Sequence, residues 1–162
     1  MARIAPDQLL NEKTLTLYNV SGPDHANTLS ISTGVAIFAI EGTNEHGAVG
    51  HEVAFPVGPA FSPGDLFKDG SAIASLAGLT APHQEQDVEV RSVGSATQNG
   101  SVSTTGTGRV IDTRVGWGLD SARVEYDAAS ARAVLVVPIF CTGFATQVHR
   151  LLYQVQILGY NR

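Results

Sequence analysis

Apolar residues in this chain recur mostly with period two, in short segments separated by Gly, Pro, Asn, Asp and Ser, and helical periodicity is rare. Successive side chains of a strand point to opposite faces, so this pattern is what antiparallel sheet produces. It predicts strands near Thr14–Val20, Thr28–Ser32, Val35–Glu41, Val49–Val57, Val88–Val93, Ser101–Thr105, Arg109–Val115, Ala122–Tyr126, Ala131–Cys141 and Val148–Leu158. About ten short strands with frequent turn signals imply an all-β fold. The expected form is an antiparallel β-sandwich, jelly-roll-like, or a barrel, with one or two short helical turns. The helical turns are placed at Pro6–Glu12 and at Ser71–Ala77, where a Ser precedes good helix formers and Gly78 follows.

At 162 residues the chain reads as a single β-rich domain spanning residues 1–162. Within it, residues 1–13 read as an N-terminal arm and residues 59–86 as a long excursion carrying the second helix. The Ser/Thr-rich stretch 92–108, with Asn99-Gly100 between alternating segments, reads as a projecting hairpin.

Some strands are apolar on both faces. In Ala131–Cys141 one face carries Ala131, Ala133, Leu135, Val137, Ile139 and Cys141, and the other carries Arg132, Val134, Val136, Pro138 and Phe140, both apolar after the first residue. Val35–Ile40 behaves alike, and Val148–Leu158 is apolar on its His149, Leu151, Tyr153, Val155, Ile157 face and mixed on the other. The outer faces of a lone sandwich should be polar, so doubly apolar strands imply a third layer. Either the 59–86 excursion or a neighbouring subunit could supply it, and the sequence favours the subunit.

Composition agrees with self-association. Only 15% of residues are charged, against 43% hydrophobic, which leaves weakly polar surface of the kind an assembled protein tolerates. Net charge is −5 and the ten basic residues are scattered, which argues against nucleic-acid binding, since that needs a basic patch. The N-terminus lacks the apolar core of a secretory signal, and the longest fully apolar run, Ala133–Cys141, is nine residues, about half a membrane span. These features predict a soluble chain made in the cytoplasm, without membrane insertion. The one cysteine, Cys141, sits in an apolar setting that predicts a buried, inert thiol.

Motifs for chemistry are mostly missing. There is no Gly-x-Ser-x-Gly, no phosphate loop, no dinucleotide fingerprint and no Cys-based metal pattern, so no cofactor is expected. The palindrome Asn44-Glu45-His46-Gly47-Ala48-Val49-Gly50-His51-Glu52 leaves His46 and His51 as metal candidates. If its flanking strands pair as a hairpin, Ile40 faces Val53, Phe38 faces Phe55 and Glu41 faces Glu52. Carboxylates so placed lie about 5 Å apart, a spacing also found in retaining glycosidases, which makes Glu41 and Glu52 the catalytic candidates. Trp117, between two glycines, and the nearby Asp120 are the candidates for ligand binding: an indole on a loop either plugs the sandwich or offers a stacking platform.

The texture of small residues, flat Ser/Thr strands and few charges is similar to that of phage virion and tail components and of small oligomeric lectins. The reading that follows is a non-enzymatic structural or assembly protein acting as a homo-oligomer through an apolar sheet face, with itself, other assembly proteins or glycans as partners. A carbohydrate- or ligand-binding module using Trp117, and a hydrolase or metal-dependent enzyme using Glu41 and Glu52, are the alternatives.

Overall fold

The structure, a computed structural model, describes residues 1–42, 49–80, 85–93, 103–111, 116–143 and 146–162. Its strands are β1 (Ala2–Ile4), β2 (Gln8–Tyr18), β3 (Thr28–Glu41), β4 (Val49–Val57), β5 (Leu66–Thr80), β6 (Glu85–Val93), β7 (Ser103–Ile111), β8 (Gly116–Leu119), β9 (Arg123–Asp127), β10 (Arg132–Thr142) and β11 (Gln147–Tyr160). A single 3-10 turn, Pro23–His25, is the only helical element among the described residues. The fold is all-β, as the alternation requires.

Two sheets enclose the core. The first runs β1-β4-β10, with β8 and β9 in succession along the far edge of β10; the second runs β2-β3-β11-β5. Strands β6 and β7 pair with each other as an antiparallel ladder from Glu85↔Ile111 to Val93↔Ser103. Asn99-Gly100 lies outside the described residues.

Alternate residues of facing strands fill the interior. Val53, Phe55, Val57, Leu135, Val137 and Ile139 of the first sheet pack against Phe38, Ile40, Leu151, Val155 and Ile157 of the second. Each such side chain contributes about 1.5–3 kcal/mol when fully buried. Phe55 meets Tyr153 edge to face, with ring centroids 5.0 Å apart, and the Tyr153 ring passes over Gly34, where any Cβ would fall 2.5 Å from the phenolic oxygen. At one side β5 closes on β9: Phe67 stacks on Tyr126 at 5.7 Å with Phe61 edge-on to both, and a Cβ at Gly70 would strike Val124.

Several expectations are corrected. Both predicted helices are strand. Residues of 6–12 enter β2, and Ser71–Ala77 lies within β5, where Ala72, Ala74 and Leu76 pack on the core while Ser71, Ile73 and Ser75 point out. A face to bury outweighs the helix propensity of alanine. Thr28–Ser32 and Val35–Glu41 form one strand.

Strands β3 and β4 do not pair. Glu41 lies opposite Gln147 in the second sheet, and Glu52 lies between Arg3 and Pro138 in the first. Phe38 and Ile40 share a buried surface with Val53 and Phe55 because the two strands face each other across the core, which matches their apolar faces as well as side-by-side pairing would. The ladder of β11 shifts between Val148 and Arg150. Val148, rather than His149, therefore enters the core, and His149 Nε2 lies 3.1 Å from Thr80 Oγ1.

Pro138 sits in a central strand, a position normally closed to proline. It faces the break between β9, whose pairing ends at Arg123↔Val136, and β8, whose pairing begins at Leu119↔Ile139. There the missing N–H forfeits no ladder bond, and the Pro138 carbonyl accepts from the Asp120 N–H at 3.0 Å.

Candidate functional site

The two sheets present very different outer faces. On the first, Val136 and Pro138 of β10 are buried although they point away from the core. Four charged side chains lie across this face as a closed ring. Arg3 Nε donates to Glu52 at 3.2 Å and its Nη2 to Glu125 at 3.0 Å; Arg123 Nη2 donates to Glu52 at 2.7 Å and its Nε to Glu125 at 2.8 Å. Register explains the closure. Glu52 is beside Pro138, Arg123 beside Val136 and Glu125 beside Val134, while Arg3, beside Glu52 on β1, reaches over the intervening strands.

The long stems of the arginines cover apolar surface while their heads remain hydrated. Hydrogen bonds from Arg123 and then Arg3 hold the Glu52 carboxyl below the usual carboxylate range. Burial acts to raise Glu125, but its bonds to Arg123 and Arg3 outweigh that and leave it lowered too. Val136 and Pro138 are thus already buried within the single chain, on the face where the ion pairs lie.

Among the described residues the second sheet has no such ion-pair cover. Cross-strand rows on its outer face read Leu10, Val35, Leu152, Ser75; then Lys13, Thr33, Gln154, Ile73; then Leu15, Ile31, Gln156, Ser71; then Leu17, Leu29, Leu158, Asp69. Leu15 is 58% exposed, Ile73 73% and Leu152 44%.

The cause is a bulge in β2. Leu10 pairs with Val35 and Lys13 with Thr33, so Asn11 and Glu12 together oppose one residue, with Asn11 at φ 53°. An extra residue switches every later side chain to the other face. Ahead of the bulge Leu9 packs on the core; after it Leu15 and Leu17 point outward, and Thr14, Thr16 and Tyr18 point inward.

Their inward neighbours on β3 are Ser32, Ser30 and Thr28, so all six inward positions of this corner carry hydroxyls. Thr14 Oγ1 and Ser32 Oγ lie 2.8 Å apart, and Thr16 Oγ1 and Ser30 Oγ 2.9 Å apart. The corner is amphipathic the wrong way round for a lone sandwich: hydroxyls inside, leucines outside.

The hydroxyl row opens into a two-lobed cleft at the end of the sandwich. One lobe, of about 120 Å³, is lined by Tyr18, Thr28, Ser30 and Phe61 among others; the second, of about 330 Å³, includes Asn19 and Arg162. Tyr18, Thr28 and Asn161 line both. Its walls are fixed by local bonds. Asn27 Nδ2 donates to the Asn161 carbonyl at 2.8 Å while the Asn161 N–H donates to Asn27 Oδ1 at 2.8 Å, and Asp65 accepts from the backbone N–H groups of Ser62 and Arg162.

The candidates read from sequence are dispersed. Glu41 and Glu52 are in different sheets, so the carboxylate pair a retaining glycosidase requires is not formed between them. His46 lies outside the described residues; His51 is on β4 opposite Ile139. Among the described residues no three of His, Cys, Asp and Glu come together as a metal-ligand set. Trp117 is on β8 opposite Cys141, half-exposed at the sheet edge. Asp120 marks the break between β8 and β9, its Oδ1 accepting from the Ser121 N–H at 2.7 Å. Cys141 is fully buried, and burial pushes its thiol up in pKa.

Sequence reading missed the ring and the inverted corner. The signal for the corner was present in Thr14-Leu-Thr-Leu-Tyr18 and Thr28-Leu-Ser-Ile-Ser32, where hydroxyls and aliphatics alternate strictly. Comparison with known protein families, curated proteins and solved structures finds no match.

Proposed function

We propose that this chain is a non-enzymatic assembly protein that works as a homo-oligomer through the outer face of its second sheet, the role of a virion-type structural component. One observation carries the reading: Leu10, Leu15, Leu17, Ile73 and Leu152 stand exposed together on one sheet face. Clustered apolar surface of this kind marks an interaction site. A shallow trough lined by Lys13, Thr33, Val35, Ile73, Leu152 and Gln154 crosses the same face.

The distribution favours a second copy as the occupant. Apart from Lys13 and Thr33 the β2–β3 half of the face is aliphatic, whereas the β11–β5 half mixes Leu152, Ile73 and Leu158 with Gln154, Gln156, Ser71, Ser75 and Asp69. A two-fold axis in the plane of contact and perpendicular to the strands lays β2 on β2, so the apolar half meets its own equivalent. That is the self-complementarity of an isologous interface.

Size-exclusion chromatography with light scattering tests the proposal on the whole chain and on Leu15→Ser/Leu17→Ser. The expected result is an oligomer that becomes monomeric in the double variant. A monomer at tens of micromolar, or an oligomer indifferent to the substitutions, would refute it.

A further inference from the structure

We infer that the cleft at the end of the sandwich binds an uncharged, polyhydroxylated ligand, a sugar residue, with Tyr18 as its stacking platform. The inference stands apart from the assembly reading, because the cleft lies on the inward side of β2 and the exposed leucines on the outward side.

Four features point to that chemistry. The cleft exists because β1, three residues long, pairs only with His51–Val53 of β4. Among the described residues the inward face of the later half of β2 therefore has no strand of the first sheet opposite it, and Pro59, Ala60, Phe61, Ser62 and Asp65 form the facing wall of the cleft.

Next, hydroxyls of Thr16, Tyr18, Thr28 and Ser30 line the floor of the cleft on its β2–β3 side, facing Pro59, Ala60 and Ser62. A hydroxyl both donates and accepts, so the Thr16–Ser30 pair can bond to each other and still serve a ligand that carries hydroxyls of its own. An apolar ligand would take water from the hydrogen-bonding capacity these paired hydroxyls still have and give nothing in return, at a cost in affinity.

Third, aromatic rings border the polar floor. Tyr18 is 62% exposed and shared by both lobes, with Phe61 on the opposite loop. An exposed ring beside hydroxyls and the Asn19 and Asn161 positions suits a ligand with one C–H face and one polar rim.

Last, the charge around the cleft is balanced. Asp65 uses both carboxylate oxygens on backbone N–H groups, and Arg162 stands at the rim of the wider lobe. The reciprocal Asn27–Asn161 bonds hold the wall in place before any ligand arrives, which reduces the ordering cost of binding. Trp117, at the edge of the first sheet, has no part in the site.

Saturation-transfer difference NMR tests the inference on the intact chain whatever its oligomeric state, with glucose, galactose, mannose and N-acetylglucosamine each at about 10 mM, where weak millimolar binding is read. The expected result is transfer to at least one of the four sugars, competed by excess of the same sugar. Tyr18→Ala should weaken it by about fivefold or more, the effect of losing one ring contact, while Trp117→Ala leaves it unchanged. Tyr18 is exposed, so its loss spares the fold, and the Thr28→Val/Ser30→Ala variant should weaken transfer through the floor instead. No transfer to any of the four, transfer that survives both variants, or transfer lost in Trp117→Ala would overturn the assignment.

Discussion

The outer faces of the two sheets pose the same problem and answer it differently. Both carry aliphatic residues that point away from the core: Val134, Val136 and Pro138 on the first sheet, Leu15, Leu17, Leu29 and Ile31 on the second. On the first, the ring of Arg3, Glu52, Arg123 and Glu125 is drawn across the strand, and Val136 is lost from solvent. On the second, Leu15 and Leu17 stay in water. A doubly apolar strand therefore needs a cover, but not necessarily a partner. Long charged side chains can supply it, and a partner is called for where they do not.

The largest effect should come from placing a charge on each face. Val136→Asp buries a carboxylate with no assigned partner beneath the ring and should destabilise the fold by about 3–5 kcal/mol in urea unfolding. Leu15→Asp, on the exposed face, should change unfolding of the isolated subunit by no more than about 0.5 kcal/mol while weakening association. Equal costs at the two positions would erase the contrast.

The bulge that turns Leu15 and Leu17 outward offers a second lever. Asn11 holds a left-handed conformation, which a β-branched residue resists, so Asn11→Val should cost about 1–2 kcal/mol of stability. An unchanged midpoint would mean that the bulge relaxes freely and does not fix the parity of β2.

Behind the exposed face, the Tyr153 hydroxyl is buried with no hydrogen-bond partner among the described residues, and burial, then the Glu12 charge, push its pKa up to about 12. Removing it in Tyr153→Phe should raise stability by about 1 kcal/mol. A loss of that size would instead reveal a partner for the hydroxyl.

The smallest effect is electrostatic and confined to the first sheet. Glu52 and Glu125 titrate below their ordinary value in the folded chain, so their contribution is present above the unfolded carboxylate pKa and is lost as pH falls through the depressed folded values. The difference in Tm between the native chain and Arg123→Ala should accordingly shrink toward zero on acidification, and shrink also in high salt. A difference that grows on acidification would reverse the sign.

How much of this could be read from the chain turns on what alternation encodes. Alternation carried the all-β fold, the bounds of Val49–Val57 and the grouping of Leu135, Val137 and Ile139 on one face, because each depends only on local parity. It could not choose between a neighbour beside a strand and a neighbour across the core, which is why Glu41 and Glu52 were set opposite each other. Nor does alternation survive a bulge. The extra residue at Asn11–Glu12 and the register shift at His149 change the face of everything after them, so the alternation of hydroxyls and leucines was visible in the chain but which set points inward was not. The ring, assembled from Arg3, Glu52, Arg123 and Glu125, leaves no local signature at all.

The most direct test of the account is hydroxyl-radical footprinting of the chain at low and high concentration, read residue by residue on both outer faces. The account predicts that Leu15, Leu17, Ile73 and Leu152 become protected as concentration rises, while Tyr126 and the residues around the Arg3–Glu125 ring keep their reactivity. Protection on the ring face, or leucines that stay fully reactive at every concentration, would contradict it.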